Sequence, residues 1–257
     1  MSVLIIIPAR YKSSRYPGKP LAVLKGADGE KTLIQRTWET ACAVSGVDGI
    51  YVATDDDRIA NTVKAFGGNV VMTSEACRNG TERCADAVTR LNATPEIVVN
   101  LQGDAPLTPP WFLEDLIAAM RDRPDVGVAT PVLRCDAETY ARLREDRAAG
   151  RVGGTTAVFA RNHEALFFSK EVIPFLPDPN VENPPVWHHV GVYAYRPEAL
   201  AAYTDAPQGV HEVNEGLEQL RFLENGTPVL CVEVEARGRQ FWELNNPVDV
   251  ARIESVL

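Results

Sequence analysis

Cysteine is scarce in this chain and poorly placed for a scaffold. Five cysteines occur in 257 residues, Cys42, Cys77, Cys84, Cys135 and Cys231. The number is odd, the spacing wide, and no C-x-x-C pair is present. That excludes a zinc-ribbon or disulfide framework and predicts buried thiols in a reducing compartment. No apolar run approaches the ~18 residues that span a bilayer, and the opening MSVLIIIPAR lacks the basic n-region of a signal peptide. Positive charge is in the minority, with 26 Lys and Arg against 35 Asp and Glu and a net charge of −9. A chain of this balance does not coat nucleic acid or an anionic membrane, although a local basic pocket can still take a small anion. The phosphate fingerprints G-x-x-x-x-G-K-[ST] and G-x-G-x-x-G are both missing. Neither an internal repeat nor a linker is found.

What is present is ordinary for a globular protein: 45% apolar and 24% charged residues, with 18 Gly and 18 Pro scattered along the chain. This composition excludes disordered and collagen-like classes. At roughly 150 residues per domain the length predicts one large domain, or one with an appendage. Such a chain buries roughly 70–75% of its unfolded surface without a metal or disulfide staple. Together these features predict a cytoplasmic enzyme.

Residues 2–8 form a continuous apolar run with three Ile, the pattern of a central parallel strand covered on both faces. Strand patterns recur over 49–54, 69–72 and 96–101, separated by helical patterns over 33–41, 59–66 and 81–91. Gly67-Gly68 is a good helix stop. This alternation predicts a mostly parallel α/β sheet with helices on both faces. Further on, the patterns predict a helix over 111–120, a strand over 126–133 and a charged helix over 136–149. Paired strands follow over 155–159 and 165–168, then a proline-rich loop over 175–185 and a strand over 190–195. A helix over 214–225, a strand over 229–234 and a terminal helix over 248–256 complete the chain. The reading is a single domain, with a core over 1–132 and 213–257 and an inserted β-rich lobe over 133–212.

In parallel α/β sheets, ligands bind outside the carboxyl ends of the strands. The first such loop, Pro8-Ala9-Arg10 through Pro17-Gly18-Lys19-Pro20, carries Arg10, Lys12, Arg15 and Lys19. Backbone amides in a tight Gly/Pro loop, together with four cations, suit a polyphosphate. A solvated basic loop is the plainer reading. Asp104, after the strand over 96–101, is a hard oxygen donor facing the same end, or else a turn aspartate before Pro106. Asp55-Asp56-Asp57 has the look of the short metal motif of nucleotide-sugar glycosyltransferases. It reads equally well as the acidic start of a helix.

The stretch Ile6-Ile7-Pro8-Ala9-Arg10-Tyr11-Lys12-Ser13-Ser14-Arg15-Tyr16-Pro17-Gly18-Lys19-Pro20-Leu21 closely resembles the N-terminal signature of the 3-deoxy-manno-octulosonate (Kdo) cytidylyltransferases. Further matches follow in order: Val52-Ala53-Thr54-Asp55, Gly80-Thr81-Glu82-Arg83, Asn100-Leu101-Gln102-Gly103-Asp104, His189-Val190-Gly191-Val192-Tyr193 and Leu217-Glu218-Gln219-Leu220-Arg221. The resemblance covers nearly the whole chain. It implies that CTP and an acidic sugar react to a CMP-sugar acid and pyrophosphate, as a step of lipopolysaccharide biosynthesis. Pro8, Ala9, Arg10, Arg15 and Lys19 would hold the nucleotide, with Arg10 and Lys19 on the triphosphate. Asn79, Gly80, Thr81 and Arg83 would lie against cytosine, with Gln102 a further contact. Arg10, Lys19 and Asp104 would be the catalytic set. Asp104 and Asn245 would ligate Mg²⁺. Lys170, His189, Tyr193, Glu218 and Gln219 would face the acceptor, and the chain would form a homodimer through the second lobe.

The chain departs from the family pattern in places. Ala105 stands where Glu is usual, Lys170 where Arg is usual, and Thr156 where Lys is usual. Asn245, in Leu244-Asn245-Asn246-Pro247, stands in place of a metal-ligating Asp. Lys cannot offer the bidentate fork of Arg, and Asn supplies a carbonyl without charge. The nucleotide half therefore matches better than the acceptor half. Three readings stay open: the Kdo reaction itself, the same CTP chemistry on another 2-keto sugar acid or a phosphonate, or nucleotide binding without turnover. A nucleotide-sugar glycosyltransferase is the alternative from another class.

Overall fold

The computed structural model describes residues 2–12, 16–152, 154–239, 243–244 and 246–257. Arg15 and Asn245 lie outside the described residues. The first strand, β1 (Val3–Ala9), is buried along its whole length, as its apolar run requires. It pairs in parallel with β4 (Gly49–Thr54), from Leu4↔Gly49 to Ala9↔Thr54, and with β6 (Ile97–Leu101), from Val3↔Ile97 to Ile6↔Asn100. The short strand β5 (Val70–Met72) extends β4, also in parallel. These four strands form the parallel sheet expected from the alternating patterns.

Helices cover both faces. On one side, α1 (Leu33–Cys42), α2 (Asp57–Ala65) and α4 (Pro110–Asp122) pack Ile34, Ile59, Val63, Phe112 and Leu116 against Val3, Ile5 and Ile7. On the other, α3 (Gly80–Arg90) sets Cys84 and Ala87 against Ile6 and Val98. The side chains of β1 thus alternate between two cores, the period-2 consequence of strand geometry. The helix starts are capped by their own sequence. Asp56 accepts from the Arg58 amide at 3.0 Å and Asn79 from the Glu82 amide at 2.9 Å. Asp56 and Asp57 are therefore the acidic start of α2, and Asp55 pairs with Arg83.

Between β1 and α1 the chain forms a hairpin, β2 (Val23–Gly26) with β3 (Gly29–Thr32). The two-residue turn Ala27-Asp28 leads into Gly29 at φ 102°, where a side chain would be strained. The buried Arg36 of α1 holds the hairpin down by donating to the carbonyls of Leu24 and Gly29 and to Asp28.

The second half adds antiparallel strands to the same sheet. The central strand here is β7 (Val128–Arg134), and α5 (Ala137–Ala148) follows it. Next come β8 (Thr155–Phe159) and β9 (Ala165–Ser169), paired around Asn162 as expected. The strand expected over 190–195 is β11 (Val192–Tyr195), and a further strand that was not expected, β10 (Trp187–His189), precedes it. Both run antiparallel to β7, against its two ends, and the break falls at Val190-Gly191. An unexpected helix, α6 (Pro197–Asp205), then returns to the α3 face.

The helix expected over 214–225 is two helices, α7 (Val210–Glu215) and α8 (Leu220–Glu224). Gly216 adopts the left-handed region at φ 61° and closes α7. The turn Leu217-Glu218-Gln219 between them is consequently not an exposed helical face. The last strand, β12 (Val229–Val234), runs parallel to β7, and α9 (Asp249–Glu254) closes the chain against β2. The strand order is β5-β4-β1-β6-β11-β7-β10-β8-β9, with β12 on β7. No helix among the described residues is long and apolar enough to cross a membrane. All five cysteines are free; Cys84, Cys135 and Cys231 are buried, whereas Cys42, the last residue of α1, is exposed and Cys77 is half-buried.

Candidate active site

The carboxyl ends of β1 and β6 lie side by side because the strands pair in parallel, and glycine at residue 103 lets the segments that leave them pack closely. A Cβ there would sit 2.8 Å from the Pro8 carbonyl oxygen. This close approach brings the first loop and the Gln102-Gly103-Asp104 segment side by side. The loop is pinned by a bond from the Gly18 amide to the Tyr11 carbonyl at 2.9 Å. Arg58, held by Asp56, lies over the Tyr11 ring at 3.3 Å. Gly18, at φ 71°, turns the chain into a short 3-10 segment, Lys19–Leu21.

That turn directs Lys19 onto Asp104, with Nζ 2.5 Å from Oδ2. Both side chains remain partly open to solvent. The Leu244 amide donates to the Asp104 carbonyl at 2.8 Å, so the C-terminal segment also arrives at this point. Arg10 is exposed at the mouth, its guanidinium 3.4 Å from the Arg78 carbonyl.

The N-terminus of α3 forms the opposite wall. Gly80 leaves room for Gln102, whose Nε2 would be 3.0 Å from any Cβ at that position. Glu218 then joins three segments. One carboxylate oxygen accepts from the Thr81 amide at 3.1 Å and the other from Gln102 Nε2 at 3.2 Å. A carboxylate at a helix N-terminus is favoured by the unpaired amides and the helix dipole. Desolvation nevertheless raises the Glu218 pKa, against the hydrogen bonds from Thr81 and Gln102. Arg83 faces away from this contact. It is buried and donates to Thr73 Oγ1 at 2.6 Å and Asp55 at 3.2 Å.

A family model described as cytidylyltransferase matches residues 4–234. The chain belongs to the cytidylyltransferase family. It is 48% identical over 257 residues to a 3-deoxy-manno-octulosonate cytidylyltransferase of Maricaulis maris, covering 100% of this chain and 97% of that protein. An 8-amino-3,8-dideoxy-manno-octulosonate cytidylyltransferase of Shewanella pealeana is 40% identical over 259 residues, covering 100% and 99%. Among solved structures, CMP:2-keto-3-deoxy-manno-octonic acid synthetase complexed with CTP superposes with a TM-score of 0.85 at 34% identity, covering 99% of this chain and 98% of that one. A 4-diphosphocytidyl-2C-methyl-D-erythritol synthase from Anaerococcus prevotii, with a TM-score of 0.60 at 14% identity, shares the fold.

In this cytidylyltransferase the five residues assigned to the acceptor side gather around the 217–219 turn and the ends of β9, β10 and β11. Tyr193 donates its hydroxyl to Gln219 Oε1 at 3.1 Å. His189 packs against the rings of Phe168 and Tyr193. Thr130 Oγ1 donates to the Val192 carbonyl at 2.8 Å, which leaves it to accept from His189 Nε2 at 3.0 Å. Burial, with a smaller contribution from His188, lowers the His189 pKa to about 3. The imidazole is therefore neutral at physiological pH and supplies no positive charge to an acid. Lys170 follows β9, and its Nζ lies 3.0 Å from where a Cβ on Gly216 would be. Its amide donates to Glu215 at 2.9 Å. Thr156, standing where the family has Lys, is buried and bonds the Glu171 carbonyl at 2.7 Å, a structural role.

Several residues around the site carried no functional sequence signal. Tyr195 bridges Thr81 Oγ1 at 3.0 Å and Asn100 Nδ2 at 3.4 Å. Tyr203 bonds both Asn79 and the Glu218 carbonyl. Arg221 is fully buried between Glu82 and Glu212. Asn100 and Arg221 stand inside the motifs Asn100-Leu101-Gln102-Gly103-Asp104 and Leu217-Glu218-Gln219-Leu220-Arg221, but motif membership alone does not reveal their partners.

Proposed function

We propose that the chain transfers CMP from CTP to 3-deoxy-manno-octulosonate and releases pyrophosphate. The observation that carries this reading is the Lys19–Asp104 pair at the joined ends of β1 and β6, two residues along the chain from Gln102 and its contact with Glu218. A polyphosphate chain entering over the first loop meets Lys19 and Arg10. The acceptor hydroxyl oxygen forms a bond to the α-phosphorus, the bond to the β-phosphoryl oxygen breaks, and the hydroxyl proton passes to solvent. Catalysis of this kind is positioning and charge neutralisation rather than covalent chemistry. Lys19 and Arg10 offset charge on the departing pyrophosphate. Gln102 and Glu218 orient the groups on either side.

The donor chemistry of Asp104 fits magnesium, which is held through one or two carboxylates with phosphate oxygens and water completing the shell. Asp104, with Asn245 as a neutral partner, would hold it, and the ion would neutralise phosphate charge. The reading further makes the protein a homodimer through residues 133–212, where Leu166 and Phe175 are exposed; sedimentation at the mass of one chain would count against it.

The test is pyrophosphate release from CTP and Mg²⁺, with Kdo, its 8-amino analogue, other sugar acids and phosphonates offered separately. Release with Kdo is expected. Release only with another acid would move the acceptor assignment, and no release with any acceptor, despite CTP binding, would leave a nucleotide-binding protein. Consumption of a nucleotide-sugar instead of CTP would establish the glycosyltransferase alternative.

A further inference from the structure

Asn79 caps α3 on the nucleotide side of the site, and its Oδ1 is already committed to the Glu82 amide. Its Nδ2 donates to the hydroxyl of Tyr203 at 2.8 Å. That hydroxyl donates in turn to the backbone carbonyl of Glu218 at 3.2 Å. The carboxylate of the same Glu218 returns to the Thr81 amide, two residues past Asn79. The result is a closed ring, Asn79–Tyr203–Glu218–Thr81, joining the cap of α3 to the 217–219 turn. Tyr203 is 1% exposed and its ring is fixed between Phe222, at 4.7 Å, and the Arg221 guanidinium, at 4.1 Å. Burial, reinforced by the Glu218 charge, raises its pKa, so the hydroxyl keeps the proton it donates.

Two buried polar atoms near this ring have no hydrogen-bond partner among the described residues. Asn100 Oδ1 belongs to the nucleotide wall beside Gly80 and Tyr195, and Gln219 Nε2 belongs to the acceptor wall beside Tyr193. Leaving such an atom unbonded costs about 1–3 kcal/mol, which favours a hydrogen bond to each from a bound water or ligand.

We propose that Tyr203 is a positioning residue whose hydroxyl couples the two substrate sites, so that nucleotide at the α3 N-terminus preorganises the Glu218–Gln219 turn for the acceptor. The inference rests on the cytidylyl-transfer reading above. Coupling of this kind is reciprocal: each ligand raises the affinity of the other by the same factor.

The experiment is calorimetric titration of Kdo into the protein with Mg²⁺, with and without α,β-methylene-CTP, which binds but cannot transfer. The wild-type protein is expected to bind Kdo about 5-fold or more tightly when the nucleotide analogue is present. In Tyr203→Phe, each ligand alone should bind within about 2-fold of wild type, while the factor linking them falls towards one. Tyr195→Phe, whose hydroxyl contacts lie on the nucleotide side alone, should weaken the nucleotide analogue and leave the factor intact. A Tyr203→Phe protein that keeps the full factor would overturn the proposal, as would a wild type with none. A purely structural role would lower the melting temperature and weaken both ligands together with the factor unchanged, also overturning it. Failure of the underlying reading looks different: wild type would then fail to bind the CTP analogue at all, or would bind it and not Kdo.

Discussion

Asp104→Ala will fold normally and lose turnover by on the order of 10³-fold, a change of several kcal/mol at the transition state. The expectation follows from where the carboxylate stands. It is the acid at the end of β6 that faces the first loop, and its side chain is still partly open to solvent. Losing it removes one partly buried ion pair whose lysine can still reach solvent, so the effect on stability is smaller than for a fully enclosed pair. On the proposed reading it also removes the hard oxygen donor beside the phosphates, a large effect on the reaction. Asp104→Asn should lose nearly as much, since shape without charge does not meet the need of a cation. The partner residue separates two explanations. If Asp104 only orients Lys19, then Asp104→Ala, Lys19→Ala and the double variant lose the same amount. If Lys19 binds triphosphate while Asp104 acts on its own account, Lys19→Ala chiefly raises the KM for CTP and the double variant loses more than either single one. A near-wild-type kcat in Asp104→Ala would remove this residue from the reaction.

That pair shows what sequence patterning can and cannot deliver. The apolar run of β1, the strand–helix alternation and the strand-end rule place Lys19 and Asp104 at the same end of the sheet although 85 positions separate them. Their contact depends on Gly103 lying against the Pro8 carbonyl, a close approach that no periodicity encodes. The acceptor half was less legible for a different reason. Residues 214–225 read as one helix, and Gly216 breaks it by taking a left-handed conformation. Glu218 and Gln219 consequently turn inward instead of lying on a solvated face. Strand β10 is not legible because Trp187-His188-His189 does not read as an apolar run, although it lies along β7 as β11 does. Tyr203 could not be read as functional at all. It sits in an amphipathic helix among apolar residues, and only the tertiary fold shows that its hydroxyl meets Asn79 and Glu218. The start of that helix, Pro197-Glu198, was nonetheless a readable N-terminal signal.

Arg221→Met will destabilise the protein by about 3–5 kcal/mol, because it strands two buried carboxylates. The Arg221 side chain is fully enclosed. Its guanidinium donates twice to Glu212, at 2.6 and 2.8 Å, and once to Glu82 at 3.0 Å. Glu82 is also held by Arg78, so the loss falls mainly on Glu212. If uncompensated charge is the cause, removing the charge should restore stability: Arg221→Met with Glu212→Leu should recover more than half of what the single variant loses, since apolar replacement of a buried ion pair is often neutral. Urea denaturation read at the midpoint checks both. A single-variant loss under about 1 kcal/mol would mean that water reaches the cluster and screens it. The pH profile adds a second handle. Burial by itself would raise the Glu82 pKa, but hydrogen bonds from Arg78 and Arg221 outweigh it and hold the pKa below its ordinary value of 4.5. Its contribution is therefore complete above pH 4.5 and fades as pH falls further. His189 acts earlier, because its pKa of about 3 lies below the ordinary 6.5 and the unfolded chain binds the proton first. Stability should begin to fall as pH drops below 6.5 in wild type and Arg221→Met alike, while the additional loss below pH 4.5 should shrink in the variant, which no longer holds Glu82 with a second guanidinium. Two profiles that stay parallel through that lower window would show that Arg78 alone sets the Glu82 ionisation.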